Sequence, residues 1–402
     1  MENLSPGQIL WRRFRRNTFA MTGAALVLAT LLMALICHLV VPDGTPDANR
    51  MSLPIGNRPP GFKVTMLLVR KNSTQPPVGF FNRLLYGKKD LFEALPIDSV
   101  RIDRATLLVR PYAGGSVLMP ERAVSLADAV WPLKDGVPVS VQGDIVRATA
   151  ADGKSMVATV DELAITVMQS QVVQRTFWLG TDRYGRDMLS RLLVGTRVTF
   201  IVGLVAVLIS LLVGVLLGGL AGYFRGRTDR IVLWLINVVW SVPTLLLVIA
   251  ITLVLGKGFT QVFIAVGLTM WVDVARIVRG QLFAVRELDF VSAGKSMGFS
   301  DSRILFRHML PNIIGPVLVV AASNFSTAIL LEAGLSFLGI GAQPPTPSWG
   351  SMIKENYGFI ILPDSAYLAI LPGVAILLLT LAFTFVANGL RDALDTRKQL
   401  LG

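Results

Sequence analysis

Six stretches of this chain are apolar enough to cross a bilayer, and that property alone restricts the fold to a helical membrane protein. A spanning helix needs about 20 mostly apolar residues, because the hydrocarbon core is about 30 Å thick and each residue rises about 1.5 Å. The stretches fall at 19–41, 198–220, 231–255, 259–274, 313–335 and 367–386, the fourth being the shortest. Composition agrees: the 402 residues are 53% apolar and 16% charged, with a mean hydropathy of +0.61. Ordinary soluble domains are far less apolar.

The formal charge of +12 could point to nucleic acid, anionic lipid or membrane topology. Its placement decides. Basic residues stand in short runs beside apolar stretches, as in Arg12-Arg13-Phe14-Arg15-Arg16 and Arg225-Gly226-Arg227, and not along an exposed amphipathic face. That pattern is the positive-inside signature of topology, and no nucleic-acid partner is expected. The single cysteine, Cys37, lies within an apolar run, so one chain can build neither a disulfide framework nor a cysteine metal site.

The first stretch is longer than the core of a signal peptide, and no small-x-small cleavage site precedes Pro42. It reads as an uncleaved anchor. With Arg12 to Arg16 in the cytoplasm, alternation puts 222–230, 275–311 and 391–398 on the same side, all rich in Arg and Lys. The expected organisation is a cytoplasmic segment 1–18, a first span 19–41, an extracytoplasmic segment 42–175 and a pre-span segment 176–197. A five-helix core 198–390 with a cytoplasmic loop at 280–311 follows, then a cytoplasmic tail 391–402. Both termini are expected in the cytoplasm.

Segment 42–175 has the composition of a soluble domain. Its stretches Lys63 to Val69, Val100 to Val109 and Val137 to Gln142 alternate partly with period two and carry β-branched residues, which predicts a small β-rich domain. Pro59-Pro60 and Pro76-Pro77 break up its first half.

Coupled carriers place titratable groups inside the membrane, because titration or ion ligation there drives transport. Here the second, third and sixth stretches contain none; His38 and Asp273 lie near span ends, and Glu332 lies toward the outer end of the fifth. Glu332 is expected either to be a hydrogen-bonded structural group or to line a pathway. A secondary carrier is disfavoured. So is enzyme chemistry, since no Walker A, HExxH, GxSxG or paired-carboxylate pattern occurs. No catalytic residue, metal or cofactor is expected. The Asp182-Arg183-Tyr184-Gly185-Arg186-Asp187 run superficially resembles a calcium loop, but Arg and Tyr stand where oxygen ligands are needed. Pro243 inside the third stretch predicts a kinked but continuous span, serving as a structural bend or a gating hinge.

The loop between the fourth and fifth stretches carries the most information. Ser292, Ala293 and Gly294 are small residues on a helix that should stop at Gly298, where glycine tolerates a left-handed cap. Ser300 or Asp301 can then cap a second helix ending before Pro311. A helical hairpin of this kind is either inert or a docking element, its small side chains permitting close approach.

This loop resembles the EAA loop of permeases of ATP-binding-cassette (ABC) importers. Ala293, Gly298 and Leu310-Pro311 match at the family spacing, whereas Ser292 stands where Glu is usual, Gly294 where Ala is usual and His308 where Ile is usual. Phe177 to Arg191, with Gly180-Thr181-Asp182-Arg183-Tyr184-Gly185-Arg186-Asp187 at its centre, resembles the segment before the second span of dipeptide, oligopeptide and nickel permeases. Leu331-Glu332-Ala333-Gly334 and Pro344-Pro345-Thr346-Pro347-Ser348-Trp349-Gly350 resemble the stretch after that family's fifth span. The resemblance implies an inner-membrane permease subunit that pairs with a second permease as a heterodimer, two cytoplasmic ATPase subunits and a periplasmic substrate-binding protein. It implies a peptide as solute, with nickel or another small solute as the alternative. The 42–175 insertion lies outside it.

Overall fold

The computed structural model describes residues 6–73, 79–114, 119–256 and 258–395. The chain begins with α1 (Pro6–Arg16) and α2 (Thr18–Val40). A mixed region follows: β1 (Phe62–Arg70), α3 (Phe80–Tyr86), β2 (Phe92–Asp103), β3 (Thr106–Pro111), β4 (Arg122–Ser125), α4 (Leu126–Val130), β5 (Ser140–Gln142), β6 (Ile145–Thr149), β7 (Ser155–Thr159), α5 (Val160–Thr166) and β8 (Val172–Phe177). Helices then take over: α6 (Met188–Phe224), α7 (Gly226–Trp240), α8 (Thr244–Leu255), α9 (Phe259–Val285) and α10 (Asp289–Ser296). Short α11 (Asp301–Arg303) and α12 (Leu310–Asn312) precede α13 (Ile314–Phe337), α14 (Trp349–Asn356) and α15 (Tyr367–Leu394). The contacts form two compact units. One holds Met1–Ala34, Gly195–Tyr357 and Ala369–Gly402, the other Leu35–Val194 and Gly358–Leu368.

In the helical unit, α2, α6, α9, α13 and α15 are each long and apolar enough to cross a membrane. Their bounds exceed the sequence expectation: α6 has 37 residues and starts at Met188 within the expected pre-span segment, and α9 runs on to Val285. Apolarity marks only the hydrocarbon-facing part of a helix, whereas the backbone ladder continues past it. The two faces of α6 differ. Leu204, Leu208, Leu212 and Leu216 recur at helical spacing and are exposed, while Gly214, Gly218 and Gly222 turn to α9. A Cβ at Gly218 would sit 2.5 Å from the Ala275 carbonyl oxygen, and one at Gly222 2.7 Å from Leu282 Cβ. Helix axes approach this closely only over small residues.

The third stretch departs from expectation. It is two helices, α7 and α8, meeting at 92°, so the continuous kinked span expected around Pro243 is corrected to a break. Proline has no N–H and its ring clashes with the carbonyl four residues back, and it pushes Val242 out of the helical region. Ser241 ends α7 with an N–H to the Asn237 carbonyl at 3.0 Å, and Pro243 begins α8.

In the other unit a five-stranded sheet has the order β4-β3-β2-β1-β8 and a three-stranded sheet the order β5-β6-β7. Leu67, Leu107, Leu126, Ala129 and Leu163 form its core, with α4 and α5 closing over the strands. Ser125 caps α4, and a Thr159–Glu162 capping box starts α5. Two of the expected strands change. Val100 to Val109 is a hairpin, turning at Arg104 with φ +52°, and only Ser140–Gln142 of the third stretch is a strand. Arg104-Ala105 lacks the Gly or Asn that announces a two-residue turn, so alternation ran through it unmarked. Strand β1 pairs with β8 so that Phe62 faces Phe177, and the Gly61 N–H donates to the Phe177 carbonyl at 2.9 Å. The two ends of the β-rich segment are thereby adjacent. Pro59-Pro60 precedes β1, whereas Pro76-Pro77 lies outside the described residues.

Candidate coupling site

The loop after α9 folds as a short helix, a glycine turn and a second helical run. Helix α10 carries Ser292 and Ala293 on its exposed side and Gly294 on its buried side. It closes with two bonds: the Phe299 N–H to the Gly294 carbonyl at 3.0 Å and the Gly298 N–H to the Lys295 carbonyl at 3.0 Å. That pair is the Schellman closure, which requires a left-handed residue, and Gly298 supplies it with φ +76°. The Ser300 hydroxyl then accepts the Arg303 N–H and starts the second run.

The second run does not end before Pro311, as the sequence suggested. It passes through a π-helical stretch, Ile304–Met309, into α12, which contains Leu310 and Pro311. Wider hydrogen bonding explains this. The Leu310 N–H reaches back to Leu305, so Pro311 falls in a first turn where no N–H is required. The His308 carbonyl accepts from the Asn312 side-chain amide at 2.6 Å.

Beneath the loop, Val291, Ile304, Leu305 and Met309 are buried with Tyr223 of α6, Val278 and Leu282 of α9, and Ile313. Polar ties reinforce the apolar seat. The Tyr223 hydroxyl donates to Asp301, Arg286 donates to the Tyr223 carbonyl, and Arg225 pairs with Glu287. Deeper in, Arg279 forms a two-bond pair with Asp229 of α7. The loop is thus packed against the ends of α6, α9 and α13 at once.

The outward surface is a pocket of about 210 Å³ lined by Phe290, Ala293, Gly294 and Met297 from α10 and by Phe299, Ile304 and His308 from beyond the turn. His308 stacks on Phe299 with centroids 5.7 Å apart, and its buried Nε2 has no hydrogen-bond partner. The Arg303 guanidinium lies over the Phe299 ring, 4.1 Å from its centroid. Phe290 and Met297 remain exposed, giving the pocket an apolar rim. Of the residues singled out from sequence, Ala293, Gly294 and His308 line this pocket; Gly298 makes the turn, Ser292 lies exposed on α10, and Leu310 and Pro311 lie in α12 outside the pocket lining.

Glu332 and Pro243 lie elsewhere in the helical unit. Glu332 is buried in α13 and accepts the Ser336 hydroxyl at 2.7 Å, with the Ser348 side chain also facing its carboxylate. Ser336 in turn accepts the Ala342 N–H at 3.1 Å, and Gly350 lets α14 ride directly on the Ala333 backbone. Sequence reasoning missed the Gly214-Gly218-Gly222 stripe, although its four-residue spacing was readable, and it missed the π stretch, for which no sequence signal exists.

The Phe177 to Arg191 segment, in the sheet-containing unit, is held by its own charges. Asp182 accepts the backbone N–H groups of Tyr184 and Arg186 at 2.9 and 3.0 Å and Arg186 Nε at 2.6 Å, and Arg191 stands 3.6 Å away. Two buried arginines already balance the carboxylate that a calcium loop would need. Thr181 donates to the Ile55 carbonyl at 2.5 Å and accepts the Arg58 N–H at 2.9 Å, so the 43–58 stretch clasps this segment. Asp187 accepts from Ser190 and lies near Arg175; burial pushes its carboxyl above the ordinary carboxylate range and pulls the Arg175 guanidinium below its own.

Comparison with known proteins matches residues 214–400 to the binding-protein-dependent transport system inner membrane component and residues 5–60 to the N-terminal TM domain of oligopeptide transport permease C. The β-rich segment falls between the two. The glutathione transport system permease protein GsiD of Pectobacterium atrosepticum is 40% identical over 220 residues, covering 55% of this chain and 72% of that protein. Its counterpart from Escherichia coli O6:K15:H31 is 41% identical over the same length and shares. A solved chain of the inward-facing MetNI methionine ABC transporter is similar at 18% identity and a TM-score of 0.43, over 52% of this chain and 98% of that one. The chain belongs to the family of inner-membrane components of binding-protein-dependent transport systems, as a multi-pass permease subunit of an ABC importer.

Proposed function

We propose that this permease forms one side of a peptide pathway across the bacterial inner membrane and is driven through the α10–α12 loop. The observation that carries the coupling role is the loop's construction: a rigid Schellman turn, an open apolar-rimmed pocket, and a seat shared by three spanning helices. An ATPase helix or cleft edge closing on the pocket around Ala293 would move the ends of α6, α9 and α13 as a body. Ser292 in place of Glu leaves shape and apolar contact, and not an ion pair at that position, to carry the docking.

The partners are a second permease, two ATPase subunits and a substrate-binding protein. The basic loops 222–230 and 275–311 lie in the cytoplasm with both termini, and 42–175 lies outside, where it meets the binding protein or the sister subunit. Segments 1–18 and 391–402 are the cytoplasmic ends and 19–41 the first span, while the pre-span segment gives way to α6 at Met188. Pro243 marks the joint about which α7 and α8 pivot. Glu332, hydrogen-bonded within α13 and the chain after it, has the structural role.

A peptide is favoured by family membership and by the glutathione named for the GsiD relatives. His38, the one histidine near a span, supplies no chelating set for nickel. The test is reconstitution of the complete importer in proteoliposomes. Uptake of a labelled peptide with binding-protein-stimulated ATP hydrolysis is expected; stimulation by nickel and not by any peptide would reverse the substrate assignment.

A further inference from the structure

Helix α3 (Phe80–Tyr86) is unlike the other helices of its unit, because none of its residues is buried. Phe80 is 62% exposed, Phe81 75% and Tyr86 68%. With about 100° between successive residues, Phe80, Leu84, Phe81 and Leu85 fall on one arc of about 140°, and Asn82, Arg83 and Tyr86 on the rest. The helix is open on both sides, with Leu84 alone half-buried, so its apolar arc is exposed where a core helix would hide it. It contains no acidic residue, and Arg83, Lys88 and Lys89 are all exposed around it. The neighbouring Asp90 is engaged by Arg50 and Lys71.

The end of α3 is fastened to the end of a spanning helix. The Lys88 N–H donates to the Gly44 carbonyl at 2.8 Å, and Gly87, with φ +73°, approaches so closely that a Cβ there would lie 2.7 Å from the same oxygen. A Cβ on Gly44 would in turn lie 3.5 Å from the His38 carbonyl oxygen. His38 belongs to the last turn of α2, and all of these residues lie in one unit. The chain therefore folds back at Gly44 and fastens the C-terminal end of α3 beside the last turn of α2. The exposed Leu35, Ile36 and Val40 on that part of α2 face the same medium.

We propose that α3 is an interfacial anchor lying in the headgroup region of the leaflet in which α2 ends, with Phe80 and Phe81 in the acyl boundary and Arg83, Lys88 and Lys89 against lipid phosphates. Short helices with an aromatic face and flanking cations take this position because one side is dehydrated while the other stays in contact with headgroups. The anchor fixes the rim of the β-rich segment to the bilayer. This holds independently of what solute is carried.

The test uses the full-length chain, Cys37→Ala, in nanodiscs of equal parts phosphatidylethanolamine and phosphatidylglycerol. A nitroxide is attached at Phe81→Cys or, for reference, at the exposed Val157→Cys on β7. Collision with oxygen exceeding collision with a water-soluble nickel chelate is expected at 81, with the opposite order at 157. Equal chelate access at both sites would overturn the proposal. Shielding of the 81 label from both reagents only when the sister permease or binding protein is added would also overturn it, by assigning the face to a protein partner.

Discussion

Replacing Gly298 isolates the turn between α10 and α11 from everything else in the loop. A Cβ at this position meets no atom within 4 Å, so a larger residue disturbs no packing. The whole cost comes from φ +76°, which a β-branched residue adopts at about 1–3 kcal/mol of strain. If undocking lets the loop relax, Gly298→Val weakens ATPase docking by up to that amount. At 1.4 kcal/mol per tenfold, this is about 5- to 150-fold. Gly298→Asn should cost much less, because Asn tolerates the left-handed region. Gly294→Ala is the packing control. Its Cβ would meet Phe299 and Ile304 at 3.5 and 3.7 Å, ordinary van der Waals contact, so the turn stays intact and any change in docking reports the shape of the pocket alone. The assay is retention of ATPase subunits on the affinity-purified permease, alongside membrane expression to show that the spans insert. Equal retention by Gly298→Val, Gly298→Asn and the wild type would refute the reasoning.

Gly218→Leu should lower the melting temperature of the purified permease far more than Gly219→Leu. The first meets the Ala275 backbone, whereas the nearest atom to the second is Leu305 Cδ2 at 4.0 Å; equal losses would remove the close α6–α9 contact from the account. Asp187 titrates in the opposite sense to a stabilising ion pair. Because burial raises its folded value above 3.8, its contribution to stability is complete below the unfolded value and is lost as pH rises through the folded one. Asp187→Asn, which resembles the protonated acid, should therefore match wild type in acid and gain on it toward neutrality in thermal melts; a variant that instead lost ground toward neutrality would reverse the assignment. Replacing 62–177 by a short Gly-Ser turn should leave membrane insertion intact, since β1 and β8 already bring the ends together. Loss of insertion would show that the segment is not a module.

The membrane class and the approximate positions of the spans were legible because apolar length is a one-dimensional property. The turn at Gly298 was legible for a similar reason: Gly298 and Ser300 are local signals that act within a few residues. What escaped the sequence depends on partners distant in the chain. The break at Pro243 needed knowledge of whether neighbours would satisfy the freed carbonyls, and the continuation past Pro311 needed the π stretch that shifts the hydrogen-bond frame. The Val100 to Val109 hairpin turned on Arg104, a residue that does not advertise a turn. His308, read only as a departure from a motif, acquires a place in the site through stacking on Phe299.

The central claim is that the pocket around Ala293 receives the ATPase. A photoreactive benzoylphenylalanine at Ala293, in the assembled importer in proteoliposomes, tests it most directly. On irradiation the account predicts an adduct of permease plus one ATPase subunit, with the same label at Val157 giving none. Efficient labelling of lipid or solvent at Ala293, with no ATPase adduct in a complex that still hydrolyses ATP on binding-protein addition, would contradict it.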